Sequence, residues 1–225
     1  MAEPDAFVAI AGGRPDLAAL SGQRMHLVDC DLSGADLGGL DMAGWWFQRC
    51  VLKEAKLIRS VLDGAVFEGC RGAFADFRAA RMAGASLSGC DFNNAAFGEA
   101  VLTGARVAGC KLTGADLVKA GTIGLSLEES LLVSARLKGI DLRKAVLTGV
   151  DFSLADLTGG DFRGAVFDGS SLREAAIGGA RFEGADLRGA DLGGLTLVDA
   201  GRFKGATVSR RQAADLLAQL GLQVL

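Results

Sequence analysis

The chain repeats itself every five residues. From Met25 the sequence divides into Met25-His-Leu27-Val-Asp, Cys30-Asp-Leu32-Ser-Gly and Ala35-Asp-Leu37-Gly-Gly, and it runs on without insertion or deletion to Asp199 as 35 units of five. The central residue is Leu, Phe, Met, Ile or Val in 33 of them, the exceptions being Gly72 and Thr122. The residue two places before the centre is usually Ala or another small one. A helix face recurs every 3.6 residues and a strand face every 2, so neither period produces this pattern. A short extended side followed by a tight corner does. The first and third residues point inward, the second points outward, and the last two turn the chain. Gly holds 20 of the 35 last positions, as a corner that demands positive φ would select.

The cysteines set the number of sides. Cys30, Cys50, Cys70, Cys90 and Cys110 lie 20 residues apart, so four units close one coil and coils stack like on like; a three-sided coil would favour 15. The predicted fold class is all-β: a right-handed quadrilateral parallel β-helix, or solenoid, with a short C-terminal α-helix. Residues 1–24 are expected to cap the first end, because Met25 and Trp45 put bulk into inward slots where later coils on that side carry mostly Ala. The repeat is assigned to residues 25–208, with a one-residue slip after Asp199 that moves the centres to Phe203 and Val208. Residues 209–225 form the helix and tail. Ser209 is a suitable N-cap, Ala213, Leu216, Leu217 and Leu220 make an apolar stripe, and Gly221 is a stop.

The recurring Ala-Asp-Leu, as in Ala35-Asp36-Leu37, Ala115-Asp116-Leu117, Ala155-Asp156-Leu157 and Ala185-Asp186-Leu187, resembles the pentapeptide-repeat family over residues 25–199. That resemblance implies the quadrilateral β-helix already reached from spacing. The end of the chain, Phe203 to Val208, Gln212 to Leu217 and Leu220 to Leu225, is similar to the carboxyl end of the Qnr and MfpA type. The similarity implies a homodimer joined through this segment. It also implies a partner, DNA gyrase or topoisomerase IV, bound by imitating duplex DNA, with a quinolone-resistance or gyrase-protection role. Leu216, Leu217, Leu220, Leu222 and Val224 are the dimerisation candidates, being more apolar surface than one rod end covers.

Two features depart from that group. Several Qnr proteins carry loops that interrupt the helix, and none interrupts residues 25–199 here. The DNA mimics of the group are strongly acidic, whereas this chain has a formal charge of -3. Its most acidic face combines Asp29, Glu68, Glu128, Glu129, Asp168 and Asp186 with Arg49, Arg106 and Arg188. The phosphate stand-ins would be chiefly Glu68, Glu128, Glu129, Asp168 and Asp186. The alternative function is a scaffold for some other protein, unrelated to DNA topology. Its binding patch would be apolar, around the outward Trp46 beside Val66 or around Leu131, since Trp is enriched at interaction hot spots.

Catalytic and ligand-binding readings find little to build on, and a non-enzymatic protein without cofactor or metal is expected. His26 is the one histidine and sits at an outward slot, which leaves no Ser-His or Cys-His dyad. The cysteines lack the close CxxC pairing of metal sites. Their column continues as Ser130, Val150, Ser170 and Ala190, which reads as selection for small buried volume. Gly104 to Lys111 approaches a phosphate-binding loop, but its Lys is one place late and no Ser or Thr follows. Asp at second positions, for instance Asp31, Asp36, Asp91, Asp141, Asp151 and Asp191, reads as capping of nearby backbone at corners. Gly72 and Thr122 read as local distortions in preference to a partner patch. Lys and Arg form no basic stripe for nucleic acid. Met1 to Gly13 lacks the positive charge of a secretory signal, and no apolar run reaches the roughly 18–20 residues of a membrane span. The expected location is cytoplasmic.

Overall fold

Burial alternates as the five-residue unit requires. A computed structural model describes residues 8–11, 17–194, 201–218 and 221–223. In it the first and third residues of the units fill the interior: Cys50, Leu52, Ala55, Leu57, Ala65 and Phe67, for example, are wholly buried. The chain winds as a four-sided parallel β-solenoid. One side carries regular strands, β1 (Val8–Ala11), β2 (Met25–Val28), β3 (Trp46–Gln48), β4 (Val66–Glu68), β5 (Ser86–Ser88), β6 (Arg106–Ala108), β7 (Ser126–Glu128), β8 (Val146–Thr148) and β9 (Val166–Asp168). They form a nine-stranded sheet in sequence order, every neighbour parallel, with Trp46 opposite Val66 and Phe47 opposite Phe67. The other three sides pair through single bridges of the same 20-residue register, such as Asp31 with Val51, Asp36 with Lys56 and Asp41 with Val61.

Large residues stack along the axis. Phe47 lies flat on Phe67 with centroids 4.7 Å apart, Phe77 on Phe97 at 4.9 Å, and Phe162 on Phe182 at 4.9 Å. Spacing near the coil repeat of about 4.8 Å brings like rings into offset contact. Corners put the fifth residue of the unit at positive φ whether or not it is Gly: Glu54, Phe74, Lys119 and Leu154 adopt φ of 58, 61, 62 and 60°. The closed turn, with Ala35 N–H donating to Leu32 C=O at 3.0 Å and Ala55 to Leu52 at 3.0 Å, holds residues that alone would avoid that region. The second-position aspartates cap these corners. Asp31 Oδ1 accepts Ser33 N–H at 2.9 Å, Asp36 accepts Gly38 N–H at 3.1 Å and Asp191 accepts Gly193 N–H at 2.9 Å, the Asx geometry anticipated from the motif.

Both ends differ from the body. β1 pairs with β2, extending the strand side by one member, and the buried Trp45 donates its Nε1–H to Gln23 C=O. At the far end the one-residue slip is realised. Phe182 stacks on Phe203 at 4.9 Å, and Asp186 bridges Thr207. Helix α1 (Arg210–Ala218) follows. Its cap is reciprocal: Gln212 N–H donates to Ser209 Oγ at 3.2 Å, and Ser209 N–H donates to Gln212 Oε1 at 2.6 Å. Gln212 Nε2 then donates to Leu187 and Ala190 carbonyls at 2.7 and 2.8 Å, tying the helix to the last coil.

Candidate interaction face

The strand side, with its adjoining corners, gathers the six acids of the most acidic face named above. In-register pairing sets Glu128 beside Thr148 and Thr148 beside Asp168, so Glu128 and Asp168 are two coils, about 10 Å, apart. Glu129 occupies the adjoining corner at φ 45°. All three are exposed, and none is in an ion pair among the described residues. Glu128 accepts a hydrogen bond from Ser126 Oγ at 3.4 Å. Glu68, also exposed, accepts from Gln48 Nε2 at 3.4 Å.

The remaining acids of this face are compensated. Arg49 reaches back one coil and grips Asp29 through two bonds of 2.8 Å, and its guanidinium holds the Asp29 carboxyl below the usual range. Arg188 folds onto Asp186 two residues away, with its closest contact at 2.6 Å. That pairing, aided by Arg188 N–H, pulls the Asp186 carboxyl down to about 2. Asp186 is therefore one half of an ion pair, and the uncompensated negative charge is concentrated on Glu128, Glu129 and Asp168, with Glu68 farther along and the exposed Arg106 between them. Sequence position could not show this, because outward side chains choose partners by rotamer.

Trp46 is half-buried. It lies flat on His26, with centroids 4.0 Å apart and planes inclined by 6°, and its Nε1–H is buried without a hydrogen-bond partner. The exposed apolar surface is instead elsewhere: Ile123 is 63% exposed, Val146 60% and Phe74 57%. Leu131 is also exposed. At the terminal segment, Leu216 and Leu217 are half-buried and Leu222 is exposed; Leu220 and Val224 lie outside the described residues.

The cysteine column carries more than volume. At the corner leaving the strand side, the closing turn bond is missing, and the next coil supplies its replacement. Cys70 N–H donates to Cys90 Sγ at 3.4 Å, while Cys90 Sγ donates to Phe67 C=O at 3.4 Å. Cys110 does the same for the corner at Cys90, at 3.4 and 3.5 Å. Ser170 serves the corner at Val150 at 3.0 and 2.9 Å. Each side chain bridges a main-chain donor and acceptor that the wide corner keeps apart. The hint in the sequence was the mixture of Cys with Ser, two small residues that share a donor and an acceptor. All five thiols are free and buried. The neighbouring Cys50 thiol and burial push the Cys70 thiol up to about 12. Among the described residues no group of three or more His, Cys, Asp or Glu is placed to hold a metal ion. No described helix is long and apolar enough to cross a membrane.

Comparisons with known proteins agree with this architecture. A family model described as pentapeptide repeats matches residues 47–89, 80–118 and 126–164, and a second of the same description matches residues 162–207. A search of curated proteins gives no match. Among solved structures, full-length QnrB1, a plasmid-mediated fluoroquinolone resistance protein, is 22% identical with a TM-score of 0.57, covering 96% of this chain and 98% of that one. HetL, a pentapeptide repeat protein involved in heterocyst differentiation regulation from the cyanobacterium Nostoc sp. strain PCC 7120, is 26% identical with a TM-score of 0.28, covering 83% and 88%. A pentapeptide repeat protein from the Arabidopsis thaliana thylakoid lumen is 24% identical with a TM-score of 0.18, covering 72% and 68%.

Proposed function

Because the chain belongs to the pentapeptide-repeat family, we propose that it is a non-enzymatic interaction protein that binds DNA gyrase or topoisomerase IV through its strand side. The observation that carries this reading is the group of exposed, uncompensated carboxylates, Glu128 and Glu129 with Asp168 two coils along, on and beside the parallel sheet. Duplex DNA offers its proteins a regular ladder of negative charge, and this face offers a shorter ladder. Glu68 extends it toward the first end, and Asp186 marks its other limit as an ion pair. The fold shared with QnrB1, a plasmid-mediated fluoroquinolone resistance protein, supports the choice of partner. A homodimer through Leu216, Leu217 and Leu222, with Leu220 and Val224 beyond them, would lengthen the ladder. The cytoplasm is the compartment this partner requires.

A second reading, a scaffold for a protein unrelated to DNA topology, draws on the exposed Ile123 and Val146. A supercoiling titration separates the two. The first predicts that the purified protein changes gyrase supercoiling, alone or in the presence of a quinolone. No change at protein concentrations well above the enzyme's would overturn it.

A further inference from the structure

One side of the rod is split at its middle. In the body of the fourth side each coil bonds to the next through the main chain: Val101 N–H donates to Ala80 C=O at 2.9 Å, Leu102 to Gly121 at 2.7 Å and Gly104 to Ile123 at 2.9 Å. One coil on, the ladder stops. Among the described residues the N–H groups of Thr122 and Gly124 on the fourth side, and of Val146 where β8 begins on the adjoining strand side, find no main-chain acceptor across the gap. Asp141 N–H donates to Thr122 Oγ1 at 3.1 Å instead, and that hydroxyl donates to Asp141 C=O at 3.0 Å. Bridges join Val101 to Gly121 and Asp141 to Asp161, but none joins Gly121 to Asp141. A further coil along, the ladder resumes, with Leu142 N–H to Asp161 at 2.9 Å and Lys144 to Arg163 at 3.0 Å. A groove of about 290 Å³ occupies the split, lined in part by Thr122, Leu125, Arg143 and Val146.

The cause is the hydroxyl. Thr122 stands at a central position and is 1% exposed; a buried hydroxyl must find partners, and in an apolar core the nearest are main-chain groups of the wall. It takes both from Asp141 and displaces the ladder. Loss of the central apolar group does not by itself split a coil, as Gly72 shows. There the ladder is intact, Leu52 N–H reaching Arg71 C=O at 2.7 Å and Gly72 N–H reaching Asp91 C=O at 2.7 Å. The Phe92 ring fills the empty place, occupying the space that a Cβ on Gly72 would need.

We propose that this seam is a joint, dividing the rod into two stiff stacks that hinge apart on the fourth side. The second side and the body of the third form the hinge, because their ladder continues, with Leu112 N–H to Leu131 at 2.7 Å, Gly114 to Val133 at 2.9 Å and Leu117 to Arg136 at 2.8 Å, and the split begins only at the corner after the third side, where Lys119 N–H has no main-chain acceptor among the described residues. Val146 lines the opening and Ile123 stands between Thr122 and Gly124 beside it; they are the two most exposed large apolar residues described. The joint lets the rod follow a curved surface. It holds whether or not gyrase is the partner.

Spin labels on the fourth side test it, since the native thiols are buried. One pair, at Thr103 and Arg163, spans the seam; a second, at Ala43 and Thr103, spans the same number of coils without it. The expected result is a broader distance distribution for the first pair, which narrows to match the second in Thr122→Val, an isosteric change that removes the hydroxyl. Equal widths in the parent protein would overturn the joint. A distribution that stays broad in Thr122→Val would overturn the hydroxyl as its cause. Hydrogen exchange on the unlabelled full chain supplies an independent readout that needs no variant. The amides of Thr122, Gly124 and Val146 should exchange on the order of 100-fold faster than those of Leu102 and Gly104, and equal protection would contradict the split itself.

Discussion

Replacing Cys90 separates hydrogen bonding from volume in the interior column. Its sulfur accepts Cys70 N–H and donates to Phe67 C=O, each at 3.4 Å. Cys90→Ser keeps a donor and an acceptor in place, and Ser170 shows the hydroxyl making the same bridge at 3.0 and 2.9 Å. Cys90→Val fills the slot, as Val150 does three coils along the same column, but leaves Cys70 N–H buried without a partner. An unsatisfied buried donor costs about 1–3 kcal/mol, and the added methyl group costs little where the column already holds Val. The valine variant should therefore lose about 1–3 kcal/mol relative to the parent. The serine variant should stay within about 1 kcal/mol, its better hydrogen bonds offsetting the greater polarity of the hydroxyl. Urea unfolding followed by tryptophan fluorescence, compared at the midpoint, reads the difference, because repeat proteins need not unfold in one step. A valine variant as stable as the serine variant would show that the column selects size alone.

Other expectations follow from the same geometry. Phe97→Ala removes a ring stacked at 4.9 Å on Phe77 and should cost about 3–5 kcal/mol in the same assay; a loss near zero would contradict its inward placement. The Cys70 thiol, raised to about 12 in the fold from about 8.5 in an unfolded chain, favours the folded state fully below about pH 8.5. That contribution fades as pH rises from there toward the folded value. The melting temperature should fall between pH 9 and 11, and fall less in Cys70→Ser; parallel profiles would refute the assignment. Charged residues at both Leu217 and Leu222 should convert a dimer to monomers by sedimentation, and unchanged sedimentation would place the interface elsewhere.

The fold was legible because its signal is redundant. Thirty-five units repeat one inward pattern, and the 20-residue cysteine spacing counts the sides without reference to any single contact. The Asx corners were legible too, since Asp at the second position can reach the N–H two residues on. What stayed hidden depends on distances between coils. The sequence marks Thr122 and Gly72 equally as irregular, yet Phe92 repairs one and the hydroxyl splits the other. The outward acids were named by face, but which of them keep their charge depends on whether an arginine folds back two residues, as Arg188 does, or reaches across a coil, as Arg49 does. Trp46 looked like an exposed anchor because its partner His26 is 20 residues away, one coil distant in space.

The central claim, that uncompensated acids on the strand side bind a type II topoisomerase, is tested most directly by charge reversal at Glu128 and Glu129. Both side chains are exposed and outside the packed core, so Glu128→Lys with Glu129→Lys should leave the folded rod and its melting temperature close to the parent's. Binding to immobilised gyrase should then weaken at least tenfold, and parent binding should weaken as salt rises, because exposed charges are screened over about 10 Å at 0.1 M. A double variant that binds gyrase as tightly as the parent, with the same salt dependence, would contradict the proposal.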